Sequence, residues 1–349
     1  MAACLAGGLA GVVQIERFDP TADSAALHVC NEIYLAAARA DAMRRPPMSP
    51  TAFRAWLTYG WTEDPAQAWL ARDEAGQACG WYLLGLPERE NRHAADLSLM
   101  VAPAHRRAGL GTALAAHAAG RARQAGRTML LAQSAEGSAG EKFARSLGAR
   151  HRLTGIFQVL RLDSVPPARR DALRRATDAK AAGYSLLSWE GPTAEDRLRE
   201  VAVLFAAEAD APRAAGDDAL VWNTARVRED ERRTDAQGLR YYTVAARLDR
   251  TGTLVAITQL GVDPLQDGWA FQELTAVVRP HRGHRLGLLV KVAMLDLLAA
   301  HEPQLSRIIT HAVEGNEHMT AINAQLGFEP LERELDWELE IASGGTTQS

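Results

Sequence analysis

Apolar and polar positions in this chain follow two periods, and the order in which those periods succeed one another recurs. A period near two, rich in β-branched and aromatic residues, predicts a strand, and a period near 3.6 predicts a helix. Val12 to Phe18 predicts a first strand, closed by Asp19-Pro20. Helical patterns over 22–42 and 50–58 follow, the second opened by Ser49 as N-cap and Pro50 in the first turn. Gln67 to Arg72 and Ala78 to Leu86 read as strands around Asp73-Glu74-Ala75-Gly76-Gln77, whose Gly supplies the positive φ of a hairpin turn. Next come a strand over Asp96 to Val101, a helix over Gly109 to Gln124, a strand over Thr128 to Gln133, a helix over Ala139 to Ser146 and a strand over Leu153 to Leu162. The order is β-α-α-β-β-β-α-β-α-β.

The second half repeats this order. Tyr184 to Trp189 predicts a strand, and 194–209 and 218–233 predict helices. Arg240 to Arg247 and Thr253 to Val262 predict strands around Asp249-Arg250-Thr251-Gly252, followed by a strand over Trp269 to Val278. A helix over Leu286 to Ala300, a strand over Arg307 to Ala312, a helix over Glu317 to Gln325 and a strand over Arg333 to Ile341 close the series. Gly76 and Gly252, Arg106 and Arg282, and Gly111 and Gly287 are all separated by 176 positions. Three landmarks in one register indicate a tandem duplication.

Length and composition agree with two domains. A chain of 349 residues exceeds the size at which one core keeps growing. Its 47% hydrophobic and 23% charged residues fit a globular protein, and a net charge of −4 argues against nucleic acid as the main partner. Cys4, Cys30 and Cys79 have no CxxC spacing, which points away from a disulfide framework or zinc knuckle and toward a reducing, cytoplasmic setting. No segment reads as a membrane span. The expected organisation is an N-terminal extension (1–11), a first domain (12–163), a linker helix (164–182) that begins Ser164-Val165-Pro166-Pro167 and carries Arg169, Arg170, Arg174 and Arg175, and a second domain (183–349).

The repeated loop carries the candidate chemistry. In the first copy Leu99-Met100-Val101 leads through Pro103 to Arg106-Arg107-Ala108-Gly109-Leu110-Gly111-Thr112, then a helix. Backbone N–H groups satisfy a diphosphate only where the chain comes very close, which a Cβ prevents at some positions. Gly109 and Gly111 are read as giving that approach, Thr112 as adding a hydroxyl, and Arg106 and Arg107 as adding charge-assisted contacts, all at the positive end of a helix dipole.

This pattern, with Leu147-Gly148 and Leu326-Gly327-Phe328 ending the later helices, resembles the GNAT superfamily of N-acetyltransferases. The chain is similar to tandem members of actinobacterial type, some of which accompany antibiotic biosynthesis clusters such as that of clavulanic acid. The resemblance implies an α/β (α+β) fold of two tandem domains, each a mixed, mostly antiparallel sheet flanked by helices. It implies acetyl-CoA as donor, with its pantetheine beside Leu99, Met100 and Val101 and its pyrophosphate on Arg106 to Thr112. The implied acceptor is the amine of a small molecule, with no metal, membrane or nucleic acid involved and a monomeric or homodimeric protein.

The two copies differ in ways that matter to this chemistry. Arg285 stands opposite Gly109 and Leu288 opposite Thr112, so the first domain is expected to hold acetyl-CoA; Arg282, Gly283, Arg285 and Gly287 mark an altered second site. The family often places a Tyr four residues before the last helix's Gly as general acid, and here those positions hold Ala144 and Asn323. The catalytic groups are therefore unassigned, with Asp96, Glu136, Ser134 and His93 as first-domain candidates and Glu273, His311 and Glu314 as second-domain candidates. His281 and His284 have HxxH spacing without further ligands nearby. Glu208, Asp210, Asp217, Asp218 and Glu229 to Glu231 form an acidic stretch suited to drawing in a cation. Three readings stand: acetyl transfer to an amine, a CoA-binding module without chemistry, and acyl transfer from a carrier-protein thioester docked on the basic linker.

Overall fold

The computed structural model describes residues 13–60, 66–210 and 212–341, so the expected extension over 1–11 and Cys4 lie outside the described residues. In chain order the elements are β1 (Gln14–Phe18), α1 (Ser24–Ala40), α2 (Pro50–Tyr59), β2 (Ala66–Arg72), β3 (Ala78–Gly85), β4 (Ala94–Val101), α3 (Leu110–Gln124), β5 (Met129–Ala135), α4 (Ala139–Ser146) and β6 (Arg150–Arg161). They continue with α5 (Pro167–Asp178), β7 (Tyr184–Glu190), α6 (Leu198–Ala206), α7 (Thr224–Ala236), β8 (Arg240–Leu248), β9 (Leu254–Val262), β10 (Trp269–Val277), α8 (Leu286–His301), β11 (Arg307–Val313), α9 (Glu317–Leu326) and β12 (Glu329–Glu340). The α/β order expected from the sequence is present throughout. The largest displacement is α7, which starts at Thr224 rather than near 218 because Asn223 caps it, its side chain accepting from the Arg226 N–H.

The chain forms two compact units that do not follow a cut through the linker. Unit 1 contains residues up to 154, 214–218 and from 333 onward; unit 2 contains 155–213 and 219–332. In unit 1 the strand order is β1-β2-β3-β4-β5-β12, all neighbours antiparallel except β4 and β5. In unit 2 the order is β6-β11-β10-β9-β8-β7, again with one parallel pair, β10 and β11. Glu334 to Glu340 of β12 pair with Met129 to Ala135 in unit 1, and Gly155 to Arg161 of β6 pair with Arg307 to Val313 in unit 2. Each half of the sequence thus hands its last strand to the unit built mainly by the other half.

Both faces of the unit 1 sheet are covered by apolar layers. Leu110, Leu114, Ala118 and Ala122 recur every four residues on α3 and meet Tyr82, Leu84, Ala95 and Leu130. Gly80 permits this approach, since a Cβ there would lie 2.9 Å from the Met100 carbonyl and 3.1 Å from Leu114. On the other face α1 and α2 bury Cys30, Tyr34, Phe53 and Trp56 against Leu70, Trp81 and Leu83. Phe53, Trp56 and Trp81 meet edge to face, with centroids 5.7 to 5.8 Å apart.

In unit 2, α8 is apolar nearly all round and is buried between α5 and the sheet. α6 covers the opposite face with Val201, Leu204 and Phe205. α8 also buries one charged residue. The Lys291 Nζ, in a side chain 3% exposed, donates to Asn323 Oδ1 at 2.8 Å and lies 5.3 Å from the Phe328 ring centroid. Asn323 in turn donates to Gln158 Oε1 of β6 at 2.7 Å. Burial lowers the Lys291 ammonium to about 7.

This buried lysine makes stability depend on pH in a known direction. The unfolded chain keeps the Lys291 proton to beyond pH 10, whereas the folded chain releases it near 7, so stability rises with pH between those limits. Thermal or denaturant unfolding of the protein and of Lys291→Met between pH 7 and pH 9.5 is expected to diverge. The parent should gain on the variant by up to about 1.4 kcal/mol per pH unit.

Candidate functional site

The parallel pairing of β4 with β5 stops early. Ala94, Ala95 and Asp96 pair with Met129, Leu130 and Leu131, while the strands run on to Val101 and Ala135. The other edge of β4 stays paired with β3 through Val101. The strands therefore part after Asp96, and the main-chain groups of β4 from Leu97 onward have no ladder partner in β5. Unmet backbone groups of this kind favour a ligand that can bond to main chain. Side chains of Leu97, Leu99 and Val101 pack toward α3 and that of Met100 toward α1 and α2, which leaves the main chain as the surface open to the gap.

Beyond β4 the chain makes a short 3-10 turn, Pro103–His105, and enters α3 through Gly109 in the left-handed region at φ 83°. No side chain caps α3, so its first N–H groups have no protein acceptor from the cap position. Arg107, at φ 67°, Ala108 and Gly109 are exposed. Arg106 is not directed to that surface. Its guanidinium makes two bonds to the Asp41 carboxylate at 2.7 and 2.8 Å and reaches the Val101 carbonyl at 3.4 Å, mooring the loop to the end of α1. Gly111 has a packing reason as well, since a Cβ would lie 3.3 Å from the Phe143 ring.

The first-domain catalytic candidates scatter. Asp96 lies at the last parallel pair, beside Gly85, on the face toward α1 and α2. Ser134 is on the opposite face, next to Gly140, and accepts the Trp337 indole N–H at 2.9 Å. Glu136 lies past the end of β5 and pairs with Arg333 at 3.3 Å. His93 is exposed, and its carbonyl holds Thr128.

Unit 2 repeats the frame. β10 and β11 pair from Trp269/Arg307 to Gln272/Thr310 and then separate. Here β10 also carries a bulge between Gln272 and Thr275, which places Glu273 where the strands part. Its entry loop has the same backbone as the first, with the glycine moved: Gly283 takes φ 84° where Arg107 has 67°, and Arg285 takes φ 58° where Gly109 has 83°. α8 is likewise uncapped by a side chain. Arg282 Nε bonds the Val277 carbonyl as Arg106 Nε bonds Val101. Arg285 turns back to the Ala176 carbonyl and His284 to the Lys180 carbonyl, while the His281 Nδ1 is bonded by the Tyr184 hydroxyl. Gly287 makes room for Ile322.

Glu273 is surrounded by titratable groups. Glu208, Asp230, Arg233 and Tyr241 all act on it or on one another electrostatically. Glu208 and Glu273 keep solvent contact, yet the protein around them makes desolvation the largest cause of their upward shifts, Glu208 reaching about 7. His311 meets Phe157 in a tilted ring contact with centroids 4.7 Å apart and lies directly over Gly155, where any Cβ would collide with its ring. The acidic stretch read from the sequence divides. Asp217 pairs with Arg152 and Asp218 accepts from the Asn91 N–H in unit 1, whereas Asp230 and Glu231 pair with Arg233 and Arg228 in unit 2.

Comparison with known proteins decides the family. The profile of the Acetyltransferase (GNAT) family matches residues 30–149. The whole chain is similar to a tandem GNAT protein from the clavulanic acid biosynthesis pathway, solved without AcCoA, at 30% identity over 96% of this chain and 100% of that one, with a TM-score of 0.79. The chain belongs to the GNAT family of N-acetyltransferases. A GCN5-related N-acetyltransferase from Sphaerobacter thermophilus, at 16% identity over 95% of this chain and 97% of that one, shares the fold with a TM-score of 0.65. No curated protein matches the chain.

The tandem GNAT fold expected from the sequence is therefore the fold of this chain, and that fold supports acyl transfer. Neither position expected for a GNAT tyrosine acid carries one: Ala144 has no polar side chain, and Asn323 is fully buried in the Lys291 network. Among the described residues no three His, Cys, Asp or Glu side chains group as metal ligands, and no helix is long and apolar enough to cross a membrane. Sequence reasoning missed Asp41, the mooring partner of Arg106, and the acidic face of β12. The strict alternation Glu334-Leu335-Asp336-Trp337-Glu338-Leu339-Glu340 was the available signal for that face.

The mooring can be tested apart from any ligand. Arg106→Met removes three bonds that hold the loop to α1 and β4, so amide hydrogen exchange over 102–109 should accelerate at least tenfold while exchange in β4 stays slow. Unchanged exchange in the loop would show that backbone geometry alone holds it.

Proposed function

We propose that unit 1 transfers an acetyl group from acetyl-CoA to the amine of a small molecule. The observation that carries this reading is the alignment of two unmet main-chain surfaces, the parted edge of β4 and the uncapped start of α3, joined by an exposed, glycine-containing loop. The pyrophosphate would be held by the N–H groups of Gly109 to Thr112 and by Arg107, and the pantetheine by the main chain of Leu99 to Val101. Arg106 contributes by holding the loop in place. When bound, acetyl-CoA supplies an activated acyl carbonyl. The chain's own task is to hold that carbonyl at the gap and to present a neutral amine to it from the α1 and α2 face, and positioning of this kind accounts for a large share of rate in such reactions. Without a side-chain acid at Ala144, the departing thiolate takes its proton from the acceptor nitrogen or from water.

Unit 2 has a second reading, favoured by its loop. Because Gly283 and Arg285 adopt the same two left-handed positions as Arg107 and Gly109, the altered loop presents the same N–H groups, and Glu273 at the bulge supplies a carboxylate where the strands part. Arg282, Gly283, Arg285 and Gly287 are then a second thioester site. A carrier-protein donor is less favoured, because Arg170 and Arg174 of α5 both pair with Asp296 rather than forming a free basic face.

Isothermal titration with acetyl-CoA tests both. The parent is expected to bind, and Gly109→Trp, which puts a large side chain in the approach path, should abolish the unit 1 site. A stoichiometry of one lost entirely in Gly109→Trp supports unit 1 alone; a residual site abolished by Gly283→Trp supports the second. Absence of any binding by the parent would sink the proposal.

A further inference from the structure

The face of unit 1 on which an acceptor must approach is charged in an unusual way. Register fixes which residues share it: Asp96 pairs with Leu131, Leu131 with Glu338, and Gln133 with Asp336, while Asp96 and Ser98 pair with Gly85 and Leu83 on the face covered by α1 and α2. α1 lies over β3 and β4 and α2 over β2, so β5 and β12 on this face are met by the segment after α1 and by residues 214–218 instead. Asp96, Asp217, Glu334, Asp336 and Glu338 contribute five carboxylates there, and Arg45, Arg150 and Arg152 contribute three guanidinium groups.

The arginines are already assigned. Arg45 pairs with Glu334 at 2.9 Å, Arg150 and Arg152 with Glu338, and Arg152 also with Asp217. Asp336 lies between Glu334 and Glu338 on the same face of β12 and has no ion-pair partner among the described residues; its bond is to the Gln133 side chain. Burial pushes its carboxyl upward, the Gln133 bond and the Arg152 charge, itself shared between Glu338 and Asp217, offset only part of this, and the Glu334 and Asp217 charges add to it. A half-buried carboxylate is normally compensated by a cation. Two positions up β5 from the last β4–β5 pair, Asp336 stands beside the opening where the thioester is placed.

We propose that Asp336 takes the ammonium group of a cationic primary-amine acceptor, in the position where its neighbours hold arginine. The proposal rests on the reading of unit 1 as the transfer site. The ammonium gives one proton to the Asp336 carboxylate and its freed nitrogen attacks the thioester carbonyl. A C–N bond forms, the C–S bond breaks with its electron pair leaving on sulfur, and the second nitrogen proton goes to the thiolate. Asp336 then returns its proton to water. Because β12 comes from the C-terminal end of the chain, acceptor choice in unit 1 is set by residues far in sequence from the cofactor loop.

The test is isothermal titration of 2-aminoethanol, 1,4-diaminobutane, tyramine and glucosamine, each with and without saturating CoA, at pH 6 and pH 8. At least one amine should bind the parent saturably. That affinity should fall tenfold or more in Asp336→Asn, return in part in Asp336→Glu, and stay unchanged in Glu340→Gln on the exposed end of the same strand. The corresponding neutral alcohols should bind Asp336→Asn and the parent alike. No saturable binding by any amine, or equal binding to the parent and Asp336→Asn, overturns the proposal. CoA titration is read separately, so that its failure counts against the unit 1 reading and the amine series counts against Asp336.

Discussion

Two parallel strands that stop pairing while both continue leave a row of N–H and C=O groups with nowhere to bond, and folding tolerates this only where something else meets them. In this chain that happens twice, after Asp96/Leu131 and after Gln272/Thr310. The rest of each unit is arranged around the gap. On one face α3 or α8 packs close under the strands, so that its uncapped start lies at the end of β4 or β10 by way of a short loop. On the other face the first helices cover the antiparallel strands and reach the first strand of the parted pair, β4 or β10. The main-chain surface that the fold offers to a ligand follows from that single interruption.

The two loops show how little of their shared backbone depends on which residue is glycine. Both copies need two left-handed residues, and the first spends its glycine on the second position, the other on the first. An arginine in the left-handed region is strained by about 1 kcal/mol, and Arg285 is held there by its bond to the Ala176 carbonyl. The sequence argument for an altered second loop rested on Arg285 in place of Gly109 and on Leu288 in place of Thr112. The backbone conformation is retained, and what changes is the Cβ and the direction of the side chain. Unit 2 also gains a bulge that unit 1 lacks, and its carboxylate at the parting point, Glu273, stands one register position beyond that of Asp96 in unit 1, so the copies have diverged in the strand as much as in the loop.

Much of this was legible from the chain. The elements follow from periodicity, and the Ser49 cap stands where α2 begins. The 176-residue offset gives the duplication, which the repeated strand order of the two units matches. What could not be read has a common cause. Arg106 looked like a phosphate ligand because its partner, Asp41, lies 65 positions away on another helix. Asn323 looked like a failed acid because its partners Lys291 and Gln158 become neighbours only after β6 joins β11. Local spacing specifies elements and loops, whereas these roles depend on pairings between segments of high sequence separation.

The exchange of last strands is the clearest such pairing, and no local signal could disclose it. Both halves end in a strand with an acceptable apolar face, so either sheet offers the same kind of edge to either strand. What distinguishes them is the polar face: β12 brings Glu334 to the unit that supplies Arg45, whereas β6 brings Gln158 to the unit that supplies Asn323 and Lys291. Placed in the other unit, each strand would leave buried charges or amides without partners, at a cost of several kcal/mol for each unpaired charge. Polar complementarity thus selects the exchanged arrangement that apolar packing alone leaves undecided. It also separates two features of unit 1 along the sequence, with the glycine loop that opens α3 encoded near residue 109 and the charged face of β12 encoded near residue 336.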